Sequence, residues 1–226
     1  GFGEAYTGGF FAHELKFAGY DVLIIEGESE KPVYLHIRNG QVELLPADEL
    51  WGKPVLEAEQ KIKEDHGDLD YKIAGIGPGG EKQVAFACIL NDTDRAAGRT
   101  GLGAVMGSKK LKAVAVRGTG SVEVADPEKF REYALANLKI ITEHPVTGEI
   151  FPKYGTGEGL LDLNTLGVLP THYWHEGTFD YAEDISSQRM SETILAGHRA
   201  CQACPVGCTR VVRVPESKYG NIIPEY

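Results

Sequence analysis

Apolar and polar positions alternate along much of the chain between Tyr20 and about Arg117, with the period of a half-buried strand. The runs YDVLIIEG and KPVYLHI are rich in β-branched and aromatic residues and predict strands. Asn39-Gly40, between VYLHIR and QVELL, is the dipeptide favoured by a two-residue hairpin turn. YKIAGIG, QVAFACIL and LKAVAVRG predict three more strands. Helical spacing interrupts them: Val55, Leu56, Glu59 and Ile62, with Lys53-Pro54 ahead, predict a helix from about Lys53 to Glu64. Nearer the start, Ala12-His13-Glu14-Leu15-Lys16 reads as a helical turn.

The pattern changes at SVEVADPEKF. Asp126 and Pro127 suit the cap and first position of a helix, Glu128 adds a carboxylate to its first turn, and PEKFREYALANLKIITE carries it on. A boundary near Val122 gives a β-rich domain over 1–122 and the start of a mainly helical domain over 123–226. In the second, FPKYGTGEG and LGVLPTHYWHEG read as Gly/Pro loops, and a helix near Ser191–Gly197 leads into a cysteine cluster. The expected fold class is α+β, a sheet-rich base followed by helices.

Composition narrows the function. A formal charge of −10 lacks the clustered basic excess of a nucleic-acid surface. No apolar run is long enough to span a bilayer, and no leader pattern appears, so a cytoplasmic address is the default. Three of the four cysteines are clustered, unlike the paired framework of a small secreted protein, so reduced thiols available to a metal are expected. The chain opens without Met and stops at PEY, which reads as part of something longer.

The cluster is CQACPVGC, with Cys201, Cys204 and Cys208 spaced Cys-x2-Cys-x3-Cys. A zinc site takes four N or S ligands, so His198 would have to join them. An iron-sulfur cubane also takes four thiolates and often draws three from one short loop. Cys88, in an apolar run, reads as core but is a candidate fourth ligand. In DRAAGRTGLGAVMGSKKLKAVAVRG, Arg95 and Arg99 stand four apart among Gly98, Gly101, Gly103 and Gly107, followed by Lys109, Lys110 and Lys112. Glycine lets main chain close on a ligand while guanidinium forks take phosphate oxygens; the plain alternative is a Gly-rich turn between strands. GIGPGG satisfies G-x-G-x-x-G, but the strand-like QVAFACIL after it makes a tight turn the expectation. Gly8-Gly9 could present backbone to a flat heterocycle or simply form a loop, and His172, His175 and Glu176 stay unassigned.

Taken together, YTGGFFAHELKFAGYD, IGPGGEKQVAFACILNDTDRAAGRTGLGAVMGSKKLKAVAVRG, PKYGT and CQACPVGC, in that order, resemble the tungsten-containing aldehyde ferredoxin oxidoreductase family over essentially the whole chain. The resemblance implies a bis-pyranopterin holding tungsten or molybdenum, and a 4Fe-4S cluster passing electrons to ferredoxin. It implies oxidation of a small aldehyde to a carboxylic acid, in a protein that binds neither nucleic acid nor membrane, with a homo-oligomer allowed for. A sheet domain would seat the pterin and helical domains would cover it. Gly8, Arg95, Ala96, Gly98 and Arg99 match pterin contacts, and Cys201, Cys204 and Cys208 match three of the four cluster ligands. Tyr6-Thr7-Gly8-Gly9 stands where many relatives have Asn-Ser-Gly-Gly, which puts an amide contact in question. No catalytic acid or base is named; Glu225 borders a stretch near the implied active site. The same scaffold serves aromatic-ring and oxo-acid reductases, and a non-catalytic iron-sulfur carrier is the rival of another class.

Overall fold

Asn39 and Gly40 both adopt left-handed backbone (φ 46° and 84°), the geometry of the tight turn joining β1 (Val33–Arg38) to β2 (Gln41–Pro46). The structure is a computed structural model that describes residues 1–214 and the strand Gly220–Ile222. It divides the chain into two compact units, Gly1–Glu123 and Val124–Tyr226.

The first unit is built on a six-stranded sheet in the order β2-β1-β6-β3-β4-β5. Its other strands are β3 (Lys72–Gly75), β4 (Ile89–Asn91), β5 (Arg95–Ala97) and β6 (Leu111–Arg117). Only the β1–β6 pair is parallel. Alternation along β6 sorts the core onto the two faces. Ala113 and Ala115 pack with Tyr34, Ile73 and, from α2 (Val55–His66), Ala58 and Ile62. Val114 and Val116 pack with Ile37, Ile76 and, from α4 (Leu102–Ser108), Met106, joined by Phe11 and Leu15 of α1 (Phe11–Phe17). Each of the Ile, Val and Met side chains among them contributes about 1.5–3 kcal/mol by leaving water, which makes the sheet a rigid base.

Three expectations change here. YDVLIIEG forms no strand: Leu23 turns to the core while Val22 and Ile24 stay exposed, and β-propensity without ladder pairing leaves an extended segment. QVAFACIL is a strand only from Ile89 onward, because residues 83–88 wind through turns whose carbonyls meet α4. GIGPGG does follow a strand and open a helix, but α3 (Pro78–Glu81) is a single turn.

In the second unit α5 (Pro127–Glu143) starts as read, with Asp126 accepting from Lys129 N at 3.1 Å and Pro127 at its first position. A π-helical turn (Pro145–Ile150), α6 (Phe151–Tyr154), a 3-10 turn (Thr156–Gly159) and α7 (Leu160–Thr165) follow. The helix expected near Ser191–Gly197 is α8 (Ser187–Thr193) instead, started early by the Ser186 hydroxyl, which accepts from Arg189 N. Leu195–Arg199 is β7, pairing with β8 (Thr209–Val214) and continuing to β9 (Gly220–Ile222), so this unit holds a small antiparallel sheet as well as helices.

Candidate functional site

In the first unit the site is organised by the turn between β4 and β5. Asn91 pairs with Arg95 across that hairpin, and Asp92 and Thr93 in its loop take left-handed backbone (φ 53° and 70°). Asn91 is buried and divides its amide between the opening segment and Asp92. Its Nδ2 donates to Gly8 O (2.9 Å) and to Asp92 Oδ2 (2.8 Å), and its Oδ1 accepts from the Thr7 hydroxyl (2.7 Å). Asp92 Oδ2 in turn accepts from Phe10 N (2.6 Å) and Phe11 N (3.2 Å), the donors at the start of α1. Gly9 (φ 98°) lies so close that a Cβ there would stand 2.2 Å from Asp92 Oδ2. α1 is also held at its middle by Glu14, which accepts from Gly118 N (2.8 Å) and from Arg117 Nη1 (2.9 Å) and pushes the Arg117 guanidinium pKa up.

Gly8 is thereby fixed on the β4–β5 hairpin that carries Arg95, Ala96, Gly98 and Arg99. Gly8, Gly98 and Arg99 are exposed, Ala96 is half-buried and Arg95 is buried. A Cβ built on Gly98 meets nothing within 4 Å, so the surface beside Arg99 is open. Exposed main chain at two glycines with a guanidinium alongside fits a flat heterocycle that carries an anionic phosphate, as a pterin phosphate does.

The glycines and lysines that follow serve the protein itself. Added Cβ atoms would stand 2.1 Å from Ala85 O at Gly101, 2.4 Å from Cys88 O at Gly103 and 1.9 Å from Gly80 O at Gly107, so these glycines let α4 pack against main chain. Lys109 Nζ donates to Gly27 O (3.0 Å), and Lys110 pairs with Glu28 (3.0 Å). Lys112 is fully buried, donating to Lys53 O (2.7 Å) and pairing with Glu81, whose carboxylate accepts from Gly52 N. Cys88 is half-buried just before β4, not within a strand, and lines an open apolar groove of about 410 Å³ with Phe86, Val84 and Pro78.

In the second unit the cysteines occupy the loop between β7 and β8, whose last pair is Arg199 with Thr209. Cys201 and Cys208 stand near the two ends of that loop. Cys204 N donates back to Cys201 O (3.1 Å), and Ala203 and Gly207 take left-handed backbone (φ 55° and 60°). All three thiols are half-buried and none is in a disulfide, which fits a thiolate-bound group as a donor set. Among the described residues no three His, Cys, Asp or Glu side chains gather round a single point as a metal ion requires. The exposed His198 ring lies against Gly207, its Cδ2 3.0 Å from where a Cβ would sit. Arg210, two residues past Cys208, is wholly buried; burial lowers its pKa and the neighbouring Cys208 opposes that.

Asn91, Asp92 and Arg210 were not singled out from sequence. NDTD between two strands is a readable turn signal that points to Asn91 and Asp92, whereas an arginine within TRVVRV carries no sign that it turns inward. His172 pairs with Glu176 (3.1 Å) at an exposed hairpin tip with Tyr173 and Trp174. Glu225 lies outside the described residues. No helix among them is long and apolar enough to cross a membrane.

The family model described as "Aldehyde ferredoxin oxidoreductase, N-terminal domain" matches residues 1–118, and that described as "Aldehyde ferredoxin oxidoreductase, domains 2 & 3" matches 132–226. A tungsten-containing aldehyde ferredoxin oxidoreductase of Thermococcus kodakarensis is 46% identical over 211 residues, 93% of this chain and 35% of that protein. An aliphatic sulfonate oxidoreductase, WOR-like subunit, of Pyrococcus furiosus is 34% identical over 94% of this chain and 36% of its own length. Among solved structures, the active-site complex of benzoyl coenzyme A reductase with 1,5-dienoyl-CoA matches with TM-score 0.75 and 30% identity, over 98% of this chain and 35% of that one. The chain thus spans about a third of the length of these relatives.

Proposed function

The chain belongs to the aldehyde ferredoxin oxidoreductase family, and from that premise we propose that it supplies the pterin seat and three cluster ligands of a tungstopterin enzyme oxidising aldehydes for ferredoxin. The reaction takes an aldehyde and water to a carboxylic acid, two protons and two electrons. The observation that carries the reading is the Asn91–Asp92 clamp, which fixes Gly8 on the hairpin bearing Arg95, Ala96, Gly98 and Arg99. Such a clamp holds two exposed stretches of main chain in register, as recognition of a rigid heterocycle requires. When bound, the pterin-held tungsten, or molybdenum in its place, supplies the two-electron chemistry and a 4Fe-4S cluster the single-electron relay.

This chain's own contributions are positional and electrostatic. Arg99, exposed beside Gly98, meets phosphate oxygens, while Arg95, buried at the start of β5, contributes its charge from beneath the seat. Cys201, Cys204 and Cys208 act as thiolate ligands. Thiols spread along a loop suit a multi-iron core, whose ligands each take a different iron, better than one zinc ion needing all four within about 2.3 Å. The test is an anaerobic assay of the full-length protein for aldehyde-dependent reduction of ferredoxin or a viologen dye. Activity on aldehydes supports the reading; a metal- and pterin-loaded protein inactive on every aldehyde overturns its substrate half. The likeness to the benzoyl coenzyme A reductase complex favours one second reading, reduction of an aromatic thioester on the same scaffold, and an arenoyl-CoA in the same assay separates the two.

A further inference from the structure

Among the described residues Arg210 is the largest side chain with no exposed surface, and the acceptors it meets there are main-chain carbonyls. Its Nη2 meets Gly207 O (2.5 Å), its Nη1 meets Pro152 O (2.7 Å) and Lys153 O (3.0 Å), and its Nε meets Cys208 O (3.3 Å). One guanidinium therefore ties the Gly207-Cys208 arm of the cysteine loop to α6. The approach is tight: at Gly155 (φ 74°), just past α6, an added Cβ would stand 2.7 Å from Cys208 O and 3.3 Å from Arg210 Nε. Among the described residues no carboxylate acts on the Arg210 charge; the group that does is Cys208. Among the described residues this buried cation is bonded only to neutral carbonyls, and a charge out of water is costly unless an opposite charge stands near it. The adjacent chemistry that can supply negative charge is the thiolate set beginning two residues away at Cys208.

We propose that Arg210 is a positioning residue for the thiolate-bound group on the CQACPVGC loop, fixing the Cys208 arm and favouring the group's reduced form with a buried positive charge. This rests on the cluster reading above. The step affected is uptake of one electron, released by oxidation of the substrate, with no bond made or broken; the added negative charge is stabilised by a fixed cation nearby. Arginine suits the task because its planar fork reaches several carbonyls while keeping its charge.

The test uses full-length protein purified without oxygen, as wild type, Arg210→Lys and Arg210→Gln. Iron per chain, the rate of iron loss to a chelator and the reduction midpoint from a redox titration followed by electron paramagnetic resonance are measured. Arg210→Lys keeps the charge but not the fork, and is expected to hold the wild-type midpoint while losing iron about tenfold faster. Arg210→Gln is expected to make reduction about tenfold less favourable, a 59 mV fall for a one-electron couple. An iron-loaded Arg210→Gln protein with the wild-type midpoint overturns the proposal, and so does Arg210→Lys losing iron at the wild-type rate. If Arg210→Gln does not accumulate as folded protein, the lysine variant decides. Wild-type protein without iron refutes the cluster reading instead, which keeps the two failures distinct.

Discussion

Replacing Gly9 with alanine tests the clamp on which the proposed pterin seat depends. Two costs arise and can be separated. The first is backbone strain: at φ 98° a side chain costs about 1–2 kcal/mol. The second is contact, because the new Cβ would stand 2.2 Å from Asp92 Oδ2, far inside van der Waals distance, and must displace the carboxylate. That oxygen accepts from Phe10 N, Phe11 N and Asn91 Nδ2, and hydrogen bonds to a charged group are worth about 1.5–3 kcal/mol each. Losing one outright and weakening another gives about 2–4 kcal/mol beyond the strain. Gly19 supplies the control: its φ is 97° and an added Cβ there meets nothing within 4 Å, so Gly19→Ala carries the strain without the contact. Hydrogen exchange at the Phe10 and Phe11 amides of the full-length protein reads local opening directly. Gly9→Ala should lower their protection about 30- to 700-fold more than Gly19→Ala, since every 1.4 kcal/mol is about tenfold. Equal protection in the two variants would refute the clamp.

The His66 ring stacks on His36 at 4.2 Å and bonds Tyr34 OH at 3.0 Å, and burial first, then His36, lowers its pKa. The unfolded chain takes up that proton near pH ~6.5 and the folded chain only at lower pH. Stability is therefore full above about pH 6.5 and falls as pH drops through the folded value, and denaturant titrations of His66→Gln should lack that slope. Lys112→Met leaves the Glu81 carboxylate buried without its cation and should cost about 3–5 kcal/mol, measured by denaturant midpoint. Adding Glu81→Gln, which still offers Gly52 N an acceptor, should recover part of the loss.

Periodicity located the elements whose partners are local. The β1–β2 hairpin, α2 and the Asp126-capped α5 follow from turn chemistry, apolar spacing and a cap, all written within a few residues. What failed depends on distant partners. YDVLIIEG has strand composition but no ladder, and QVAFACIL bends because α4, some fifteen residues later, packs its glycines on those carbonyls. The same distinction runs through the site. Gly8 and the RAAGR residues were legible as a motif, but their juxtaposition runs through Asn91 and Asp92, whose partners lie 81–84 positions away. Basic residues near a glycine run looked alike in sequence, yet Lys109, Lys110 and Lys112 are spent on Gly27, Glu28 and Glu81, leaving Arg99 at the open surface.

The most direct measurement is metal and pterin analysis of the full-length protein purified without oxygen: iron, tungsten, molybdenum and zinc per chain, with fluorescence of the oxidised pterin. About four irons, one tungsten or molybdenum and two pterins are expected for each chain. Zinc alone, with no pterin, would contradict that expectation.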